Sequence, residues 1–152
     1  MKRRIKILLV ILVIVFIAIQ FMPRDRNESG QKAVNDITDA YAVPSNVQAI
    51  FKNSCYDCHS NNSSYPWYAQ IQPFRYILDS HIKEGKAELN FNDFGTYSKR
   101  KQRSKLRGIA NSLTEGTMPL SSYLFIHHDA TLSTKDKSLI QHWVSKMNDA
   151  SN

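Results

Sequence analysis

Cys55-Tyr56-Asp57-Cys58-His59 constrains this chain more than any other segment. It is a C-x-x-C-H pentapeptide, the attachment signature of c-type haem. Two thiols at this spacing can each form a thioether with one vinyl group of a porphyrin, and the adjacent imidazole then reaches the iron. The motif implies a covalent cofactor, one haem c per chain, with Cys55 and Cys58 as attachment points and His59 as an axial ligand. A chain built this way folds around a rigid apolar plate.

Other uses of the two thiols fit less well. A structural zinc site takes four ligands, usually as two close pairs, whereas these are the only cysteines in the chain. The five histidines (59, 81, 127, 128 and 142) lack the H-x₃₋₅-H spacing of a zinc finger. A thioredoxin-like dithiol requires a βαβ context, and no strand pattern surrounds the motif. A simple disulfide leaves His59 unexplained.

The N-terminus points to export. Lys2, Arg3, Arg4 and Lys6 precede an apolar run over residues 7–22 interrupted only by Gln20. A basic region followed by an apolar core is the layout of a signal sequence. Phe21-Met22-Pro23-Arg24 offers no small-x-small cleavage site, and no cysteine follows for lipoprotein processing. The expectation is an uncleaved signal anchor over residues 1–22. It makes the chain a single-pass protein of the cytoplasmic membrane with its C-terminal domain outside. Residues 23–41, polar and without apolar periodicity, read as a flexible linker.

The formal charge of +7 does not describe a uniform surface. Four of the twenty basic residues precede residue 7, and six more lie between Lys99 and Arg107. The rest of the chain carries ten basic against thirteen acidic residues. Two local clusters of this kind argue against a nucleic-acid-binding surface. The second cluster has three candidate roles beside a solvated helix face: an acidic redox partner, anionic headgroups or the haem propionates.

Residues 42–148 read as an all-α domain. Ser45-Asn46-Val47-Gln48 has the pattern of a capping box, with Val47, Ile50 and Phe51 as an apolar face leading straight into the haem motif. Pro66-Trp67-Tyr68 suits the start of a short helix. A helix over residues 74–84 is expected to end with Gly85 at its C′ position. Another, over residues 97–115, has Leu106, Ile109, Ala110 and Leu113 in helical register and stops at Gly116. Ser133 is placed to cap a last helix whose inner face is Leu139, Ile140, Trp143, Val144 and Met147. Trp67 and Tyr97 read as packed aromatics, with propionate hydrogen bonding as the alternative.

Met118 is the first choice for the second iron ligand. It lies in a loop, after a helix-ending glycine and before Pro119, whereas a core methionine usually sits on a helix stripe as Met147 does. His127, His128 and His81 are the alternatives.

These residues together resemble the bacterial haem-binding domain family, small cytochrome-c-like domains usually found behind a signal or anchor. The likeness runs through Cys55-Tyr56-Asp57-Cys58-His59-Ser60-Asn61, Tyr65-Pro66-Trp67-Tyr68, His81-Ile82-Lys83-Glu84-Gly85, Leu89-Asn90-Phe91, Met118-Pro119-Leu120 and Leu132-Ser133. It covers most of residues 42–143. One departure is Phe74, where members of the family often carry Trp after the proline. The resemblance implies covalent haem and electron transfer. For an electron carrier held at the membrane, the expected partners are redox proteins of the membrane or periplasm. No hydrolytic or group-transfer constellation appears, and Glu84 and Glu88 are simply i, i+4 neighbours. The chain is therefore expected not to be an enzyme. A haem-based sensor or small-ligand binder with an open or displaceable distal site is the alternative function.

Overall fold

A computed structural model describes residues 2–24, 26–29 and 34–149. Within them the chain forms α1 (Lys2–Ile19), α2 (Ile37–Ala40), α3 (Ser45–Ser54), α4 (Tyr56–His59), α5 (Phe74–Glu88), α6 (Lys99–Glu115), α7 (Ser121–Leu124) and α8 (Thr134–Asp149). Short 3-10 segments at Trp67–Gln70, Phe91–Thr96 and His128–Ala130 connect them. Among the described residues there is no strand, only an isolated bridge between Glu28 and Asn62. The expected all-α class is what the chain adopts.

The core forms where the apolar faces of α3, α6 and α8 converge. Val47 and Phe51 enter from α3, Leu106 and Leu113 from α6, and Ile140, Trp143 and Val144 from α8. Phe51 stacks on Phe91 with ring centroids 5.0 Å apart and meets Trp143 edge-on at 5.7 Å. Trp143 Nε1 donates to the Ala42 carbonyl at 3.2 Å, so its one polar atom is satisfied inside the core. Each such ring or aliphatic chain, once buried, contributes roughly 1.5–3 kcal/mol. A smaller cluster of Tyr68, Ala69, Leu78 and Ile82 packs α5 against the 3-10 segment Trp67–Gln70, with Cys58 at its edge.

Helix ends follow local chemistry with two exceptions. The Ser98 hydroxyl caps α6, and Gly116 ends it in the left-handed region at φ 69°. Ser133 and Asp136 exchange bonds at the start of α8, with Asp136 N donating to Ser133 Oγ at 3.1 Å and Ser133 N donating to Asp136 Oδ2 at 3.0 Å. At α3 the expected capping box does not form. Pro44 occupies the cap, and Ser45 is already helical. Gly85 does not end α5, which continues to Glu88.

Two expectations about the N-terminal part are corrected. No helix among the described residues is long and apolar enough to cross a membrane, which overturns the single-pass anchor. Four of the first five residues of α1 are basic, and its uncharged part is residues 7–19. At 1.5 Å per residue that stretch measures about 20 Å, against a hydrocarbon core of about 30 Å. Gln20 follows the helix, and its side chain pairs with the Gln72 backbone: Gln72 N donates to Gln20 Oε1 at 3.0 Å, and Gln20 Nε2 donates to Gln72 O at 3.3 Å.

The expected linker, residues 23–41, is likewise built into the domain where it is described; residues 25 and 30–33 lie outside the described set. Asn27 donates through Nδ2 to Ser60 O and Ser63 Oγ, both at 2.8 Å. Ile37 is fully buried in the core. Asp36 caps α2 in a reciprocal box with Asp39. Polar composition concealed this segment because polar side chains such as Asn27 and Asp36 bond to the domain rather than to water.

Candidate haem-binding site

The C-x-x-C-H segment is a break between two helices rather than part of one. Cys55 ends α3 and starts α4 with φ −130° and ψ −39°. Its carbonyl accepts from Cys58 N at 3.2 Å and His59 N at 3.0 Å. The single turn α4 is held from several sides. Ser64 N and the Tyr123 hydroxyl donate to the Asp57 carboxylate at 3.1 and 2.8 Å. Tyr56 stacks on Phe91 at 4.9 Å, and its hydroxyl donates to Asp36. Burial, then the Asp36 carboxylate, pushes the Tyr56 phenol well up, so it remains a donor.

Gly85 lets α5 cross α4 at close range. A Cβ there would lie 2.7 Å from the Cys58 carbonyl oxygen and 3.2 Å from its Cβ. The glycine is needed for this approach, not for the helix stop expected of it.

His59 is oriented by the backbone just beyond α5. Its Nδ1 lies 3.0 Å from the Leu89 carbonyl oxygen, which can only accept, so Nδ1 carries the proton. The free lone pair is therefore on Nε2. A ring nitrogen fixed this way is the usual support of a metal-ligating imidazole. Phe91 meets the imidazole edge-on at 6.2 Å.

Two adjoining cavities of about 380 and 220 Å³ open beside the motif, and the larger is within the range of cofactor pockets. Both are lined by Ser54, Cys55, His59, Glu88, Met118 and Pro119. The larger one extends to an apolar wall including Phe91, Ile109, Leu113 and Ile140. The smaller adds Cys58, His81 and Tyr123. All four expected site residues thus meet around one space: Cys55, Cys58, His59 and Met118.

The alternative ligands separate. His127 lines neither cavity; its Nε2 is 2.6 Å from the Tyr68 hydroxyl, and its ring stacks on Tyr123 at 4.2 Å. His128 is exposed at the start of a 3-10 segment, away from both cavities. His81 does line the smaller cavity. Trp67, expected to pack, is 76 % exposed, and Phe74, the departure from the family pattern, is 51 % exposed. Tyr97 accepts from Asn90 N at 3.1 Å.

Burial pushes the Cys55 thiol up to about 12, with Cys58 adding to the effect. Burial and then Asp57 push Cys58 up to about 11. A redox dithiol needs the opposite, a lowered thiol pKa. No group of three His, Cys, Asp or Glu side chains among the described residues is arranged to hold a metal ion.

The residues fit a haem. Two thiols, an imidazole and a thioether line a mostly apolar space, the donor types that a c-type haem takes. Sequence reasoning missed three supports: the Leu89 carbonyl, the contact at Gly85 and the Asp36–Tyr56 link. A backbone acceptor leaves no mark on residue type. Gly85 was conspicuous, but its spacing fitted a helix end equally well.

Fold and site define a small all-helical domain organised around a C-x-x-C-H turn. The chain belongs to the haem-binding domain family, whose pattern matches residues 14–146. That match runs through residues 23–41, in agreement with the contacts that Asn27 and Ile37 make with the domain. No curated protein and no solved structure gives a significant match.

Proposed function

We propose that this haem-binding protein is a mono-haem c-type cytochrome that carries electrons between protein redox partners, and is a carrier rather than an enzyme. In it Cys55 and Cys58 would hold the haem through thioethers, and His59 Nε2 and Met118 would be its iron ligands. The observation that carries this is the His59 Nδ1–Leu89 carbonyl bond. It engages Nδ1 and leaves Nε2 as the ring nitrogen for a metal, on a residue that lines the same space as Cys55 and Met118.

A haem held there supplies a one-electron ferric/ferrous couple. The Leu89 carbonyl keeps the His59 ring in one orientation and one tautomer. Met118 offers a neutral, soft donor that favours the ferrous state. Phe91, Leu113 and Ile140 give the larger cavity an apolar wall, which would limit the access of solvent to a haem held there.

The test is an intact mass and an optical spectrum of protein made with a working c-type maturation system. One haem added covalently and a low-spin spectrum that resists carbon monoxide are expected. Met118→Ala should become high-spin and bind carbon monoxide when reduced. Absence of an added haem mass would remove the covalent assignment. Retention of the low-spin spectrum in Met118→Ala, with loss in His81→Ala, would make the iron bis-histidine.

The second function, a sensor or small-ligand binder, is favoured by one observation: Met118 is 37 % exposed on its loop, so a ligand has a route to displace it. Rapid carbon monoxide binding by the unmodified protein would decide for it.

A further inference from the structure

Six basic residues lie between Lys99 and Arg107, yet only one of them reaches the cofactor space. Lys101 Nζ sits 3.9 Å above the Tyr97 ring. Lys99 Nζ donates to Gln102 Oε1 at 3.3 Å and lies over Tyr41. Arg100, Arg103 and Arg107 line neither cavity. Lys105 lines the larger cavity, and no other lysine or arginine among the described residues lines either one.

Lys105 is held in an unequal pair. Its side chain is 25 % exposed, whereas that of its partner Glu88 is 82 % exposed, with Nζ 3.2 Å from Oε2. The bond joins α6 to the end of α5 along the rim of the cavity. On the same helix Ser104, Gly108 and Ser112 also line the space, and a Cβ on Gly108 would meet nothing within 4 Å. The wall beside Lys105 is therefore roomy and partly polar, in contrast to the apolar wall formed by Leu113, Leu132 and Ile140.

We infer that Lys105 is the cation that neutralises a haem propionate, releasing Glu88 to solvent when the cofactor is in place. This rests on the haem assignment above. The propionates of a porphyrin lie opposite its vinyl edge, so a haem held at Cys55 and Cys58 would leave them for a wall that carries neither cysteine, and α6 supplies such a wall with Lys105 on it. A carboxylate in such a cavity is costly unless it is paired and hydrogen-bonded. Giving up Glu88 costs little, because an exposed ion pair contributes little to stability and Glu88 keeps its hydration. Charge-assisted bonding to a less solvated propionate is the stronger interaction.

The test compares midpoint potentials of haem-loaded variants whose covalent haem is verified by intact mass. A nearby positive charge favours the ferrous state. Lys105→Met, which keeps the aliphatic stem, should shift the equilibrium towards ferric about tenfold, or about 59 mV for one electron. Lys105→Arg should restore most of it, and Arg107→Gln should shift it no more than threefold. With Glu88 released, Lys105→Met and Glu88→Gln should be additive.

A Lys105→Met shift no larger than that of Arg107→Gln overturns the assignment. So does strong non-additivity with Glu88→Gln, which means that the original pair persists. If Lys105→Met takes up no haem while Lys105→Arg does, the requirement for a cation is supported; failure of both counts against it. A wild-type chain without covalent haem removes the underlying site assignment as well, and intact mass separates that case from the others.

Discussion

At Gly85 a single missing Cβ determines how closely α5 can approach the haem motif. Alanine there would place its Cβ 2.7 Å from the Cys58 carbonyl oxygen, and overpacking of this kind costs roughly 1–3 kcal/mol. Gly85→Ala should therefore lower the denaturant midpoint and reduce the fraction of chains carrying covalent haem, because α4 is displaced together with Cys58. Normal incorporation at normal stability would show that the crossing is looser than described. The thiols give a second residue-scale prediction. Their folded pKa values, about 12 and about 11, exceed the ordinary 9.0. Below pH 9 both are protonated in either state and contribute no pH dependence. Above it the unfolded chain releases protons that the folded chain retains, so stability falls as pH rises towards 11–12. Each thiol adds a slope of up to about 1.4 kcal/mol per pH unit. Urea melts between pH 8 and 11 should show a steeper alkaline loss in haem-free than in haem-loaded protein, in which the proposed thioethers would leave no thiol to titrate.

Among the elements, α2 departs furthest from its sequence. Ile37-Thr38-Asp39-Ala40 lies in a polar stretch without helical periodicity, and one turn is too short to show any. Its capping box at Asp36 and Asp39 uses two acidic residues that also suit a solvated linker. What fixes it is tertiary: Ile37 fills the core, Asn92 Nδ2 donates to Asp36 at 2.8 Å, and Gly95 N donates to the Asn35 carbonyl at 2.7 Å. Ile37→Ala should cost about 2–5 kcal/mol, the range for truncating a fully buried aliphatic chain. A linker residue would cost almost nothing, and a chemical denaturation curve distinguishes the two. By contrast α6 and α8, long and strongly periodic, follow their sequence patterns to within two residues at the ends that were anticipated.

At the scale of the whole molecule, the core and the cofactor space share their walls. Phe51, Phe91, Leu113, Leu132 and Ile140 belong to both, so the cofactor and the fold are expected to stabilise each other. Protein with Cys55→Ala and Cys58→Ala, prepared free of haem, should melt at least about 10 °C below the haem-loaded chain. That corresponds to two or more kcal/mol of apolar contact for a domain of this size. Equal melting temperatures in calorimetry would mean that the helices pack without help from the cofactor. The N-terminal helix stands apart from this coupling. None of its residues is buried, and the paired amides of Gln20 and Gln72 fasten its end to the domain.

Residue type and spacing by themselves determined the haem motif, the all-helical class, the stop at Gly116, the cap at Ser133 and the loop that carries Met118. Each depends on chemistry within a few neighbouring residues, where sequence distance and spatial distance coincide. Tertiary structure alone decided which carbonyl holds His59, why Gly85 lacks a side chain, which of six basic residues faces the cavity, and that Ile37 is core rather than linker. It also separated His127, engaged by Tyr68 and Tyr123, from His81 and Met118, which line the cofactor space. Apart from the local Tyr123–His127 stack, those outcomes depend on contacts between residues 17 to 60 positions apart, brought together by packing of long-range apolar surface that no local pattern encodes.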